Sequence, residues 1–76
     1  MKSSQRVTES IEIWFNGEPR KVVAGTTIAL LLESLAINAT RSAVELNLQL
    51  VPRAAHGART LESGDRLEVV TLAGGG

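Results

Sequence analysis

The hydrophobic period of this chain changes once, near Gly25, and that change points to a sheet crossed by a helix. Before it, Ile11, Ile13 and Phe15 alternate with Glu12 and Trp14, the period of two that sends one set inward and the other outward along a strand. After it, Ile28, Leu31, Leu32 and Leu35 recur at the spacing of one helix face, and Thr26 and Thr27 are both suitable N-caps. Between the two regimes stands Asn16-Gly17. That pair tolerates the positive φ angles of a type I′ turn, so residues 20–24 are predicted to return antiparallel to the first strand. Pro19 has no N–H to donate, which puts the returning strand at a sheet edge.

Beyond the helix, Asn38 is a suitable left-handed stop, and residues 38–41 carry the chain back to the sheet. Residues 43–47 read as a third strand with Val44 and Leu46 inward. Leu50-Val51 is a brief fourth strand that Pro52 ends, and residues 53–60 are looser. Ser63-Gly64-Asp65 is turn chemistry. From Arg66 to Leu72 alternation resumes, with Leu67 and Val69 on one face and Glu68, Val70 and Leu72 on the other. The reading is an α+β domain over residues 11–72: one sheet of four to five strands with a helix packed on one face. Residues 1–10 form a polar leader without period, expected to be loose. The expected inward set is Ile11, Ile13, Phe15, Ile28, Leu31, Leu32, Leu35, Val44, Leu46, Leu61, Leu67 and Val69.

Composition removes several functions. A chain of 76 residues buries only about 60% of the surface its unfolded form exposes, which leaves little room for an enclosed catalytic cavity. Chemistry is expected on the surface or at an end. Eight basic residues balance eight acidic ones, without the positive excess that binding to a phosphate backbone requires, so nucleic acid is not an expected partner. With no cysteine there is no disulfide, thiolate zinc site or thiol nucleophile. No metal site is expected. The first residues lack the apolar core of a signal peptide, and no apolar run approaches the roughly 20 residues that span a bilayer. The expected setting is the cytoplasm, away from the membrane.

The chain finishes on Gly74-Gly75-Gly76. A glycine run loses much conformational freedom on ordering and adds nothing to a core. It does supply a thin backbone able to enter a channel too narrow for side chains. Fully extended, residues 73–76 reach about 13 to 14 Å past the last strand. A frayed terminus is the plainer reading.

The stretches Ala43-Val44-Glu45-Leu46-Asn47, Val51-Pro52-Arg53 with His56, and Leu61-Glu62-Ser63-Gly64-Asp65-Arg66-Leu67-Glu68-Val69-Val70 leading to Gly74-Gly75-Gly76 resemble the ThiS family, the sulfur carriers of thiamine biosynthesis. Val23-Ala24-Gly25-Thr26-Thr27-Ile28 with Leu31-Leu32, and Phe15-Asn16-Gly17, resemble that family's approach to the helix and its first hairpin. The resemblance runs from about Ile11 to Gly76. It implies a β-grasp (ubiquitin-like) fold in which the first and last strands are parallel and central. It also implies chemistry at Gly76. A ThiF-like adenylyltransferase would join the terminal carboxylate to AMP from MgATP, and sulfur from a sulfur-donating enzyme would displace AMP to leave a thiocarboxylate. A ThiG-like thiazole synthase would then take that sulfur. On this reading the chain is a protein cosubstrate rather than an enzyme and binds no cofactor itself; Gly74 and Gly75 thread the partner's active site. Two features depart from the family pattern. Leu48 follows Asn47 where many relatives have glycine or a polar residue, which argues against a tight turn there, and the leader is longer than the family needs.

Other residues carry weaker signals. Trp14, Val70 and Leu72 would make an apolar patch if the helix covers only the opposite face, and such patches mark partner sites; scattered exposed apolar residues are the ordinary alternative. Arg53 is either a contact for a partner's acidic patch or a solvated arginine. His56 has no nucleophile arranged with it and reads as a surface or loop-packing residue, and Asp65 as a turn residue. Three alternatives to the thiamine carrier stay open: the small subunit of molybdopterin synthase, a ubiquitin-like modifier joined to lysines, and a binding module without chemistry.

Overall fold

The computed structural model describes residues 9–72. Five strands and one α-helix follow in the order β1 (Ser10–Phe15), β2 (Glu18–Val23), α1 (Ile28–Ser34), β3 (Ser42–Leu46), β4 (Gln49–Leu50) and β5 (Arg66–Thr71). Short 3-10 helices lie at Ala39–Arg41 and Arg53–Ala55. The strands form one mixed sheet in the order β2-β1-β5-β3-β4. β1 and β5 are parallel; every other pairing is antiparallel. This is the β-grasp arrangement, with β5 at the centre and β2, carrying Pro19, at an edge as the sequence predicts.

Local chemistry explains most of these elements. Asn16 and Gly17 adopt φ of 50° and 86°, the doubly positive pair of a type I′ turn, and Phe15 pairs directly with Glu18. Thr27 caps α1: its hydroxyl accepts from the Leu30 N–H at 3.1 Å, satisfying one of the orphan donors of the first turn. Leu67 and Val69 point into the core, whereas Val70 and Leu72 are exposed.

The core is Ile13, Val22, Ile28, Leu31, Leu32, Val44, Leu46, Leu61, Leu67 and Val69, with Ile11, Phe15, Leu35, Ile37, Ala39 and Val51 packed around it. All twelve residues expected inside are buried or half-buried there. Val22, Ile37, Ala39 and Val51 were missed. Each comes from a segment too short or too polar to show a period of its own. At the rim, the Arg20 guanidinium lies 5.4 Å from the centroid of the half-buried Phe15 ring, within cation–π reach.

Several boundaries and one stop differ from the sequence reading. β1 begins at Ser10, so the last residue of the expected leader belongs to the sheet, and Glu9 before it accepts from the Ala24 N–H at 2.8 Å. β2 begins at Glu18 because the two-residue turn makes pairing start at once. β3 and β4 each start one residue earlier than expected. The helix is stopped by Ala36, not Asn38. Ala36 takes φ 59°, its N–H donates to the Glu33 carbonyl, and the Ile37 N–H donates to the Leu32 carbonyl at 2.9 Å. That is the Schellman pattern, drawn in by the burial of Ile37 against the core. Asn38 instead caps the next 3-10 helix, accepting from the Thr40 N–H at 3.0 Å.

The turn at Asn47-Leu48 also departs from expectation. Leu46 pairs directly with Gln49, so the turn is as tight as an Asn-Gly turn, and Leu48 is held at φ 70° with its side chain 83% exposed. A leucine pays about 1–2 kcal/mol for that conformation. Asn47 holds the turn closed. Its N–H donates to the Arg66 carbonyl at 2.8 Å, its Oδ1 accepts from the Arg66 N–H at 2.9 Å, and its Nδ2 donates to Asp65 Oδ1 at 3.1 Å.

Candidate functional site: the outgoing strand and the open sheet face

β5 leads to the reactive end proposed from the sequence. Residues 73–76, which include Gly74, Gly75 and Gly76, lie outside the described residues, and so does the leader over residues 1–8. The strand before them is clamped on both sides. Along β3, residues 42–46 pair with residues 67–71, and the Leu72 N–H donates to the Arg41 carbonyl at 2.6 Å. On the other flank β1 supplies only Trp14 and Phe15, after which the chain turns away.

Asn16 fills the gap left by that turn. Its N–H donates to the Leu67 carbonyl at 2.9 Å. Its side chain then serves the next residue inward, Oδ1 accepting from the Val69 N–H at 2.8 Å and Nδ2 donating to the Val69 carbonyl at 3.2 Å. Asn47 does the corresponding work at the start of the strand, so two asparagines in left-handed turns bracket β5. The sequence reading saw Asn16 as a turn residue only, because its partner lies 53 positions away.

Asp65 likewise does more than turn. It is buried, its Oδ2 accepts from the Glu62 N–H at 2.8 Å, and its backbone carbonyl accepts from the Trp14 N–H at 2.8 Å. It therefore ties the turn before β5 to both β1 and the Asn47 turn.

The open face of the sheet carries Trp14, Val70 and Leu72, exposed by 44%, 61% and 52%. They share a face but do not touch as one patch. Trp14 stands level with Arg66, four residues and so about 13 Å along the strand from Val70. Arg66 and Glu68 intervene, and with Trp14 and Gly17 they line a shallow hollow of about 180 Å³. Val70 is opposite Ala43, and Glu68 is opposite Glu45. Leu50, 70% exposed, is opposite Glu45 on the next strand and joins Val70 and Leu72 on this face. The sequence reading did not place Leu50 here, since a two-residue strand shows no alternation.

Arg53 is elsewhere. It is exposed in the second 3-10 helix and lines an open groove of about 630 Å³ beside α1 with Ala29, Leu32, Glu33, Ile37 and His56. His56 is buried and is a loop-packing residue. Its Nε2 lies 3.0 Å from the Val51 carbonyl, an acceptor, so Nε2 donates there. Nδ1 has no partner. The His56 backbone carbonyl accepts from the Ala29 N–H at 3.0 Å, which ties the loop to the first turn of α1. Among the described residues, no group of three or more His, Cys, Asp and Glu side chains is arranged to hold a metal ion, and no helix is long and apolar enough to cross a membrane.

Comparison with known proteins matches this architecture. The family model described as the ThiS family matches residues 13–76. A crystal structure of the thiamine biosynthesis protein ThiS from Geobacter metallireducens superposes with a TM-score of 0.75 at 32% identity, covering 87% of this chain and 100% of that one. The thiazole synthase of Magnetococcus marinus is 42% identical over 66 residues, which are 87% of this chain and 20% of the synthase. The thiazole synthase of Paramagnetospirillum magneticum is 36% identical over the same length and share. The chain thus spans about a fifth of those synthases. The protein ycf40 of Pyropia yezoensis, of uncharacterized function, is 39% identical over 70 residues, 92% of this chain and 99% of that protein.

Proposed function

The chain belongs to the ThiS family, and on that premise we propose that it carries sulfur for thiamine thiazole formation on a thiocarboxylate at Gly76. The observation that carries this reading is the placement of β5. The strand is central in the sheet, bracketed by Asn16 and Asn47, and it runs straight toward the glycine end, through which the family match continues. An end carried by a strand bonded on both flanks lets an enzyme grip the folded domain while the last residues enter a narrow site.

The chemistry requires activation. A carboxylate is an anion at neutral pH and a poor electrophile. In the proposed sequence a carboxylate oxygen of Gly76 attacks the α-phosphorus of MgATP bound by a partner adenylyltransferase, forming an acyl adenylate and expelling pyrophosphate. A sulfur nucleophile from a sulfur-donating enzyme then attacks the carbonyl carbon and AMP leaves. With a persulfide as that nucleophile the adduct is an acyl disulfide, and a thiol of the sulfur-donating enzyme cleaves its S–S bond, leaving an enzyme disulfide and the free thiocarboxylate, whose sulfur passes to thiazole synthase. Gly74 and Gly75 give the slender approach. MgATP is used by the partner and is not bound by this chain, and the whole sequence is placed in the cytoplasm.

The presence of a similar segment within two thiazole synthases supports thiazole synthase as the acceptor. It also favours the thiamine route over the molybdopterin one, which would share the fold, the tail and the adenylation step.

Intact-mass measurement tests the proposal. After incubation with the cognate adenylyltransferase, MgATP and a sulfur source, the protein gains the mass difference between sulfur and oxygen. No gain with a competent enzyme would leave a binding module, and isopeptide conjugates in cell extracts would indicate a modifier. A variant with alanine appended after Gly76 is expected to fail both in this reaction and in supporting thiamine synthesis.

A further inference from the structure

β2 is an end strand of the sheet, and its outer side is unevenly provided with hydrogen-bonding groups. The two-residue turn makes Phe15 and Glu18 a hydrogen-bonded pair, and the register repeats that pairing at Arg20 and Val22, in line with the Ala24 N–H bonded to the Glu9 carbonyl. Pro19, Lys21 and Val23 therefore turn their backbone groups outward. Pro19 has no N–H, and the Val23 carbonyl already accepts from the Thr26 N–H at 3.0 Å. What remains is the Pro19 carbonyl, both groups of Lys21 and the Val23 N–H, none of them bonded to another backbone group among the described residues. That set fits a strand added parallel to β2. A residue opposite Arg20 donates to the Pro19 carbonyl and accepts from the Lys21 N–H; the residue opposite Val22 donates to the Lys21 carbonyl and accepts from the Val23 N–H. Run antiparallel, the added strand would set a carbonyl against Pro19 and an N–H against the engaged Val23 carbonyl, leaving both unpaired. Proline and lysine at an edge discourage indiscriminate pairing; here they leave one direction open.

Side chains set what that strand carries. Val22, Leu30 and Leu31, with Arg20 and Lys21, line a groove of about 360 Å³ between β2 and α1, and Val23 and Leu30 are exposed by 51% and 53%. Arg20 and Lys21 are both exposed, and β2 sets only Glu18 against them. Residues directly opposite each other in a sheet share a face and interact. We propose that this edge takes up an extended segment of a partner protein, parallel to β2, in which two acidic residues precede two apolar ones. The acidic pair lies opposite Arg20 and Lys21, and the apolar pair opposite Val22 and Val23. The leader of this chain does not suit, since residues 1–8 contain Lys2 and Arg6 and no acid, nor does a second copy, which brings the same Arg20 and Lys21. β1 separates β2 from β5, so a segment held here leaves the outgoing strand uncovered.

The test titrates the isotopically labelled full chain with the blocked peptide Gly-Ser-Asp-Asp-Val-Val-Ser-Gly and follows its amides by NMR. Binding is expected to move the Lys21 and Val23 amides most and to slow their exchange with solvent. Arg20→Gln/Lys21→Gln is expected to weaken binding roughly tenfold at low salt, with the melting temperature unchanged. Lys21→Pro, which removes an outward N–H and spares the ladder to β1, is expected to weaken it further than Lys21→Gln does. The reversed peptide, Gly-Ser-Val-Val-Asp-Asp-Ser-Gly, is expected to bind roughly tenfold more weakly than the forward one. No movement of the Lys21 and Val23 amides at millimolar peptide, or equal binding of the reversed peptide, overturns the proposal. Slow exchange of these two amides in the peptide-free chain also overturns it: independent of protein concentration, it assigns the edge to the leader, and growing with concentration, to a second copy. None of these outcomes bears on adenylation at Gly76, so the carrier reading stands or falls separately.

Discussion

Asn16 occupies the place of a strand residue beside Val69, its carboxamide making both the donor and the acceptor contact that a neighbouring backbone would make, at 3.2 and 2.8 Å. β1 has already turned away, so this one side chain keeps the flank of β5 paired to within three residues of the last described position. Asn16→Ala removes both contacts and puts alanine at φ 50°, where asparagine is better tolerated. The expected loss is about 1–3 kcal/mol, read as a lower urea midpoint at unchanged m. Asn16→Gly, which relieves the backbone but not the missing contacts, is expected to recover only part of it.

Leu48 is the clearest candidate for stabilisation. It is held at φ 70° with its side chain almost wholly in solvent, so Leu48→Gly removes strain and gives up no packing. The greater freedom of glycine in the unfolded chain offsets part of the gain. A net increase of about 0.5–1 kcal/mol is expected, corresponding to a rise of several degrees in melting temperature for a domain of this size.

Asn47 and Asp65 should behave as a unit. The Asp65 carboxylate accepts from the Asn47 amide and from the Glu62 N–H, and hydrogen bonds to charged groups contribute about 1.5–3 kcal/mol. Asp65→Ala is expected to cost about that much. A double-mutant cycle with Asn47→Ala, measured by chemical denaturation, is expected to show a coupling of about 0.5–3 kcal/mol. A coupling of zero would mean that the two turns close independently.

Trp14 and Leu72, read from the sequence as partner-site residues, are expected to weaken docking of the proposed adenylyltransferase when made polar, and the register sets how the two effects combine. Trp14 lies level with Arg66, well down the strand from Leu72, so the two sites share no neighbour. Trp14→Ser and Leu72→Ser are each expected to weaken association measured by calorimetry, with effects that add to within about 0.3–0.5 kcal/mol. The melting temperature should barely move, since both side chains are substantially exposed. Unchanged affinity in both variants would end a docking role for these residues.

Much of this molecule is written in short stretches of its sequence. The alternation of Ile11, Ile13 and Phe15, the Asn16-Gly17 turn, a threonine cap at Thr26 or Thr27 and the spacing of Ile28, Leu31, Leu32 and Leu35 each depend on residues within one turn or one strand of each other. Local geometry alone is enough to read them. The glycine end and the stretches resembling ThiS are equally legible, being strings of particular residues. Tertiary structure decided what no window contains. It determined that Asn16 serves Val69 and Asn47 serves Arg66, that Glu45 faces Glu68, and that Trp14 is divided from Val70 while Leu50 lies on the same face. It also stopped the helix at Ala36, to bury Ile37, and closed a tight turn on Leu48. The reason is common to all of these. A strand's register is fixed by the sum of its hydrogen bonds and buried contacts with neighbours distant in sequence, and that sum overrides the preference of any single residue whose own cost is only about a kilocalorie per mole.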